Sequence, residues 1–246
     1  MSIDTRDRRS MVVQLRDALR DLIGEMKPGE QLPSESELVG RFGVARGTIR
    51  EALKLLEQDG LVDVHHGRGR FVSAVAGLGV NRPITHFEGV TEMLRALGFS
   101  PRTKIVSVSV AEADEEEAAA LGIARGEAVV RLARLRTSGT KPLVLSLNSF
   151  RASLLGDEDV AQQDFSGSLH QWLRDRGATP ESSAAQIRAA RLPDDLRDTM
   201  PSDAVDEPWL LTIERCFDDT GGIVLYSRDY HRGDMFSFHV VRRRTD

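Results

Sequence analysis

The chain has 246 residues, 40% of them hydrophobic and 29% charged, with a formal net charge of −5. That length can bury a sizeable core and suggests two domains rather than one. No apolar run approaches the roughly 20 residues of a membrane span, and the polar, mixed-charge start MSIDTRDRRS is unlike a signal peptide. The single cysteine, Cys216, reads as a buried thiol and excludes an internal disulfide or a multi-cysteine zinc site. A soluble, cytoplasmic protein with no cofactor and no membrane partner is expected. The charge is uneven: residues 1–73 hold 12 basic and 12 acidic side chains, leaving 21 against 26 for the rest. Within 41–70, six basic residues (Arg41, Arg46, Arg50, Lys54, Arg68, Arg70) face four acidic ones, a local positive field suited to modest, salt-sensitive nucleic-acid binding.

Residues 10–25 carry Val12, Leu15, Leu19, Leu22 and Ile23 at helical spacing with Arg16, Asp17 and Arg20 outside, and predict a supporting first helix. Arg8 and Arg9 before it form either a solvated arm or a phosphate contact. The next helix starts at Ser34, which with Glu37 makes an S-x-x-E capping box after Pro33; Leu38, Val39 and Phe42 supply its apolar stripe. Gly43 supplies the left-handed stop. From Arg46 the chain restarts, and Ile49, Ala52, Leu53 and Leu56 bury one face while Gly47, Arg50 and Lys54 lie opposite. Two helices joined by a glycine-containing turn, the second presenting arginines and Thr48 from its early turns, form a helix-turn-helix suited to a major groove. Runs 61–64 and 69–73 then flank the basic tip His65-His66-Gly67-Arg68-Gly69-Arg70, a hairpin beside the second helix. Its glycines allow positive φ, and its arginines can enter a minor groove or hold phosphates. For the two histidines, phosphate contact and plain exposure both stay open.

The run LPSESELVGRFGVARGTIREALKLLEQDGLV…GRGRFV resembles the N-terminal domain of the GntR family of bacterial transcription regulators over nearly all of residues 10–73. By that resemblance Arg46, Thr48 and Arg50 contact DNA from the recognition helix, and Gly67 and Arg68 from the wing tip. Ser34 at the helix start, Lys54 on the exposed face, and His66 and Arg70 in the wing complete the candidate DNA-binding set. Many relatives carry Arg where this chain has Ser36 and Ser where it has Ala45, which implies one contact and one helix cap fewer.

Residues 74–84 (AVAGLGVNRPI) read as a short linker, dividing a DNA-binding domain at 1–73 from a second domain at 85–246. In the second, 86–98 predicts a helix, with Phe87, Val90, Met93, Leu94 and Leu97 on one side, 104–110 a strand and 114–121 an acidic helix. Residues 126–136 and 143–150 form a hairpin in which Arg134 and Arg136 share a face with Val130 and Leu132, opposite Arg131, Ala133 and Leu135. Two arginines on a mostly apolar strand face want a bidentate acidic partner, so an anion site is favoured over a solvent-facing ladder. A helix over 164–177 starting near Ser166 or Ser168, strands at 182–192 and 208–218, and a last hairpin of 223–231 with 235–243 across Arg232-Gly233-Asp234 complete an α+β domain around an antiparallel sheet. The RGD triplet reads as a polar turn whose Arg and Asp pair locally, and His231 with His239 lacks the further ligands a metal needs.

This region resembles, more loosely, the effector-sensing UTRA domain of the HutC branch of the GntR family, similar in fold to chorismate lyase. By resemblance Arg134 and Arg136 grip an effector, helped by Thr85, His86, Ser146 and Tyr230. Sugar-phosphate sensors of this branch tend to carry glutamate where this chain has Ser146 and Leu225; losing both removes acceptors for sugar hydroxyls or amines. That favours a compact anion, such as phosphate, a phosphonate or a small carboxylate, as in regulators of phosphonate or phosphate uptake, over an amino sugar phosphate, with a sugar phosphate still among the candidates. The expected protein is a homodimeric regulator, acting as a repressor on a pseudo-palindromic operator and controlled by a small anion. A lyase-like enzyme with a DNA-binding head has no nucleophile–base arrangement in the sequence to support it; a constitutive DNA-binding protein is the other alternative.

Overall fold

The computed structural model describes residues 8–65, 67–73 and 87–238. The chain divides into two compact units, one running to His86 and one over Phe87–Ser237. The first contains α1 (Arg8–Gly24), α2 (Glu35–Phe42), α3 (Arg46–Gln58), β1 (Val62–His65) and β2 (Gly69–Val72). The proposed linker, with Thr85 and His86, lies outside the described residues, as does His66.

Each boundary in this unit has a local cause. Ser34 accepts from the Glu37 amide at 3.3 Å while Glu37 takes the Ser34 amide at 2.8 Å, which closes the capping box. Gly43 ends α2 at φ 66°, where a side chain would be strained. Ala45 precedes α3 without a side-chain cap, as its methyl requires. Leu15, Leu19, Leu38, Ile49, Leu53 and Leu56 lie at or below 1% exposure in one core, each contributing roughly 1.5–3 kcal/mol of burial. Arg16, expected outside, is buried instead, with Asp17 at 2.8 Å. The hairpin pairs His65 with Gly69 and Val62 with Val72. Residues 29–32 run along its outer side, Leu32 donating to Arg70 O at 2.8 Å and Val72 to Glu30 O at 2.8 Å.

The second unit is built on a six-stranded antiparallel sheet in the order β3-β4-β5-β8-β7-β6. Its strands are β3 (Arg102–Glu112), β4 (Ala128–Ser138), β5 (Lys141–Arg151), β6 (Ser182–Ala190), β7 (Trp209–Phe217) and β8 (Ile223–Arg232). Helices α4 (Val90–Ala96), α5 (Glu115–Leu121), α6 (Leu169–Arg174) and α7 (Ser202–Val205) accompany it. Both faces of the central strands are covered. On one, Val130, Leu132, Phe150 and Leu225 pack with Phe165, Trp172 and Leu173 of the α6 region. On the other, Leu135, Leu145, Leu211 and Tyr230 pack with Met200, Ala204 and Trp209, and α5 adds Ala118 and Leu121.

Three predicted elements differ. The helix expected over 86–98 is confined to Val90–Ala96, because Gly89 opens it without a side-chain cap, and Leu97 stays exposed. The helix expected over 164–177 spans Leu169–Arg174, starting where Ser168 accepts from the Gln171 amide at 3.2 Å. The last hairpin is not one: β8 pairs with β5 and β7, residues 233–238 form a turn and coil, and 239–246 lie outside the described residues. Arg232 donates to Asp234 at 2.8 Å within that turn.

Candidate functional site

The first candidate surface is the exposed side of α3 and the hairpin tip. Arg46, Arg50 and Lys54 are exposed on α3. The arginines are held by the preceding helix: Arg46 Nη2 donates to Ser36 Oγ at 2.7 Å, and Arg50 Nε to Glu35 at 2.8 Å. An exposed ion pair such as Arg50–Glu35 and an exposed hydrogen bond such as Arg46–Ser36 each contribute little, so both guanidiniums can exchange their partners for phosphate or base edges. At the tip Gly67 has φ 74° and Gly69 φ 107°, and the Arg68 guanidinium lies 6.0 Å over the Phe71 ring. A side chain at 69 would meet the Gln31 amide at 2.8 Å.

Two members of the sequence-based set are placed elsewhere. Thr48 is 4% exposed, because the first turn of α3 rotates it toward the buried face shared with Ile49 and Ala52 and away from the open side that carries Arg46 and Arg50. Arg70 is partly buried and committed to Glu57 at 2.7 Å and Glu35 at 3.2 Å, which makes it a tie between the hairpin and both helices rather than a free cation. Those two bonds and the Glu57 charge hold its guanidinium charged against partial burial. The Ser34 hydroxyl is spent on Glu37, which leaves its contribution to the surface as the start of α2.

The second candidate site is a cavity on one face of the sheet of the second unit. The register sets Arg134 opposite Ser146 and Ser146 opposite Asp229, while Leu132, Asn148, Ser227 and Glu214 form the next row on the same face. Gly89 to Glu92 and His170 close the space from the other side. Arg134 and Arg136 are 2% and 1% exposed, which removes the solvent-facing ladder as a reading. Arg134 donates to the carbonyls of Phe165 and Gly167 at 3.2 Å each and to Asn148 Oδ1 at 3.1 Å; Arg136 donates to Ser146 Oγ at 2.6 Å. Asn148 in turn donates to Ser227 at 2.8 Å. Among the described residues neither arginine has a carboxylate within ion-pair distance, and both Nε atoms lack a hydrogen-bond partner.

Electrostatics follow from burial. Desolvation pulls both guanidinium pKa values down, Arg134 further because Arg136 adds like charge, while Asp229 and Glu92 oppose the shift. Burial raises Asp229 against the pull of Ser146 and both arginines. It lifts Glu214 to about 7 against a bond from Ser183, and drops His170 to about 4. Two fully buried cations without direct counter-ions cost stability unless something repays their lost hydration. The cavity is about 20 Å³ in volume, room for about one water molecule.

Tyr230 does not join this site. It pairs with Leu145 and Leu211, one residue out of phase with Ser146 and Asp229, so its ring points into the apolar cluster on the opposite face. The acceptors that the serine and leucine at 146 and 225 fail to supply are present in another form, as Asp229, Glu92 and Glu214. Asn148 was within reach of sequence reasoning, since it lies two residues beyond Ser146 and alternation puts it on the same face. Asp229 and Glu214 needed the strand order, and Glu92 the docking of α4.

Residues 11–72 match the family described as bacterial regulatory proteins, gntR family, and residues 96–237 match the UTRA domain. The chain belongs to the GntR family of bacterial regulators, in its UTRA-containing HutC branch. It is similar to the HTH-type transcriptional repressor NagR of Bacillus subtilis, 26% identical with 99% of each chain covered. The HTH-type transcriptional repressor PhnF of Mycolicibacterium smegmatis is 29% identical over 92% of this chain and 90% of its own. The crystal structure of PhnF covers 94% of this chain and all of that one at a TM-score of 0.57 and 26% identity. YydK of Bacillus subtilis shares the fold at a TM-score of 0.68 and 19% identity, covering 94% of this chain and 99% of its own.

In a GntR-family chain with a UTRA domain, the helix-turn-helix unit binds DNA and the UTRA unit responds to a small-molecule effector. The protein is a ligand-responsive transcription regulator and not an enzyme; NagR and PhnF are named as transcriptional repressors. No helix of the described residues is long and apolar enough to cross a membrane.

Proposed function

We propose that the protein is a homodimeric repressor whose operator binding is controlled by a compact metabolite held through an anionic group on Arg134 and Arg136. The observation that carries this reading is the pair of buried guanidiniums with unpartnered Nε atoms on the cavity wall. A phosphate, phosphonate or carboxylate there accepts bidentate, charge-assisted hydrogen bonds and offsets the desolvation of both arginines. Ser146 serves as a hydrogen-bonding neighbour, and Asn148 orients Arg134. The relatives named as repressors support the sign of regulation, including the mannosyl-D-glycerate transport/metabolism system repressor MngR of Escherichia coli, 25% identical over 94% of this chain and 95% of its own.

On the DNA side, Arg46, Arg50 and Lys54 read or grip one major groove per protomer and Gly67 and Arg68 the flanking backbone, so that two copies span a pseudo-palindromic site. The ligand acts by binding one of two arrangements better than the other. The test is operator binding by the full chain, measured with and without inorganic phosphate, alkyl phosphonates and small carboxylates, alongside Arg134→Ala. Release or strengthening of DNA binding by one of these in the parent and its loss in the variant is expected. DNA binding indifferent to every anion, and equal in parent and variant, refutes the reading.

A further inference from the structure

The cavity is not lined as a site for a bare anion. Against the two guanidiniums its wall sets four carboxyl groups, Glu88, Glu92, Glu214 and Asp229. The unpartnered buried atoms are of both signs: Nε of Arg134 and of Arg136 ask for acceptors, Oδ1 of Asp229 and Oε2 of Glu92 ask for donors, and the Thr91 hydroxyl can meet either. An anion alone satisfies the first pair and adds negative charge beside the second. A cation alone does the reverse. Each buried group left unmatched keeps its desolvation penalty.

The two ends are also close together. Arg134, Ser146 and Asp229 are successive partners across β4, β5 and β8, and neighbouring strands lie only about 5 Å apart. Glu92 is set on the facing wall, its carboxylate against Gly89, where a β-carbon would displace it. We infer that the cavity takes a compact zwitterion, with an acidic group on Arg134 and Arg136 and an ammonium group on Glu92 and Asp229; this rests on reading the cavity as the effector site. An ammonium supplies three donors and no acceptor, which matches the carboxylate oxygens and nothing on the arginine side. Opposite charges on the ligand leave the site's net charge nearly unchanged, so binding does not build up a buried excess of either sign.

The test uses the full-length protein and matched pairs of ligands, aminoalkyl phosphates of two to four carbons and the alkyl phosphates of the same length, titrated by calorimetry. For the best-fitting length, the amino compound is expected to bind at least tenfold more tightly than its partner. Glu92→Gln and Asp229→Asn are each expected to bring that ratio to within about threefold, while Arg134→Ala weakens both compounds together. Equal affinities within every pair, or a ratio untouched by both carboxylate variants, overturn the zwitterion and leave the anion-site reading in place. Failure of all these compounds, and of inorganic phosphate, alkyl phosphonates and small carboxylates, to bind the parent protein overturns both.

Discussion

Glu214→Gln isolates one buried carboxyl of the cavity and gives a signed prediction. Glu214 is half-buried on β7, and desolvation lifts its pKa from an ordinary 4.5 to about 7, with the Asp229 charge adding to the rise and Ser183 opposing it. A carboxyl whose folded pKa is raised stabilises the fold fully below its unfolded value; that contribution disappears as pH climbs through the folded one. The window is therefore pH 4.5 to 7. At 1.36 kcal/mol per pKa unit, the parent protein loses about 3 kcal/mol across it. Glutamine keeps the shape and carries no charge, so the variant matches the parent near pH 4 and exceeds it by about 3 kcal/mol at pH 8, roughly 6–12 °C in midpoint for a unit of this size. The assay is favourable, because both tryptophans, Trp172 and Trp209, belong to the effector unit and are buried, so fluorescence follows that unit alone. A difference between parent and variant that is the same at pH 4 and pH 8 refutes the argument, as does no difference at pH 8.

Five further outcomes follow from the same geometry. Arg50→Ala should weaken operator binding by about 1–3 kcal/mol with relaxed sequence preference if it reads a base, and all DNA alike if it holds phosphate; gel-shift titrations on operator and scrambled DNA separate the two. Arg68→Ala should lower the salt slope of DNA binding by about one, whereas Arg70→Met should leave that slope unchanged and lower denaturant stability of the first unit by roughly 1 kcal/mol, since its guanidinium is tied to Glu57 and Glu35. Gly43→Ala, at φ 66°, should cost the same unit about 1–2 kcal/mol in chemical denaturation. Tyr230→Phe should leave ligand affinity within about twofold by calorimetry, a change under about 0.4 kcal/mol, because the ring sits on the far face of the sheet.

What the sequence made legible is what short-range chemistry decides. The Ser34–Glu37 box, the Gly43 stop and the glycine tip at 67–69 depend on neighbours within a few positions, and each is where the residues require it. Alternation along one strand also sufficed to put Arg134 and Arg136 on one face with Val130 and Leu132. It could not reveal that this face is covered, because the cover comes from residues 165–173 and from α4. The errors have the same origin. Thr48 is helical as expected, but its burial is set by the core it turns toward. Arg70 is recruited by Glu35 and Glu57, one of them 35 positions away. Tyr230 and Asp229 are adjacent in sequence, and only the β5–β8 register, which no local signal specifies, decides which enters the cavity.

The magnitudes in the cavity bear on how a ligand works the switch. A hundredfold change in operator affinity requires about 2.7 kcal/mol of differential binding between two states. Five buried polar atoms at this site, Nε of Arg134 and of Arg136, Oδ1 of Asp229, Oε2 of Glu92 and Oγ1 of Thr91, have no partner, and satisfying a buried group recovers roughly 1–3 kcal/mol. Satisfying two of them in one state and not in the other is enough. The cavity holds about one water molecule, so anything the size of a phosphate displaces the wall made by Gly89–Glu92 and His170. That wall is the first chain segment of the effector unit, directly following the residues that join it to the DNA-binding unit. The wall residues that must move therefore include Glu92, one of the groups with free energy to release. A ligand that bound without moving them would leave the equilibrium where it was, however tightly it bound.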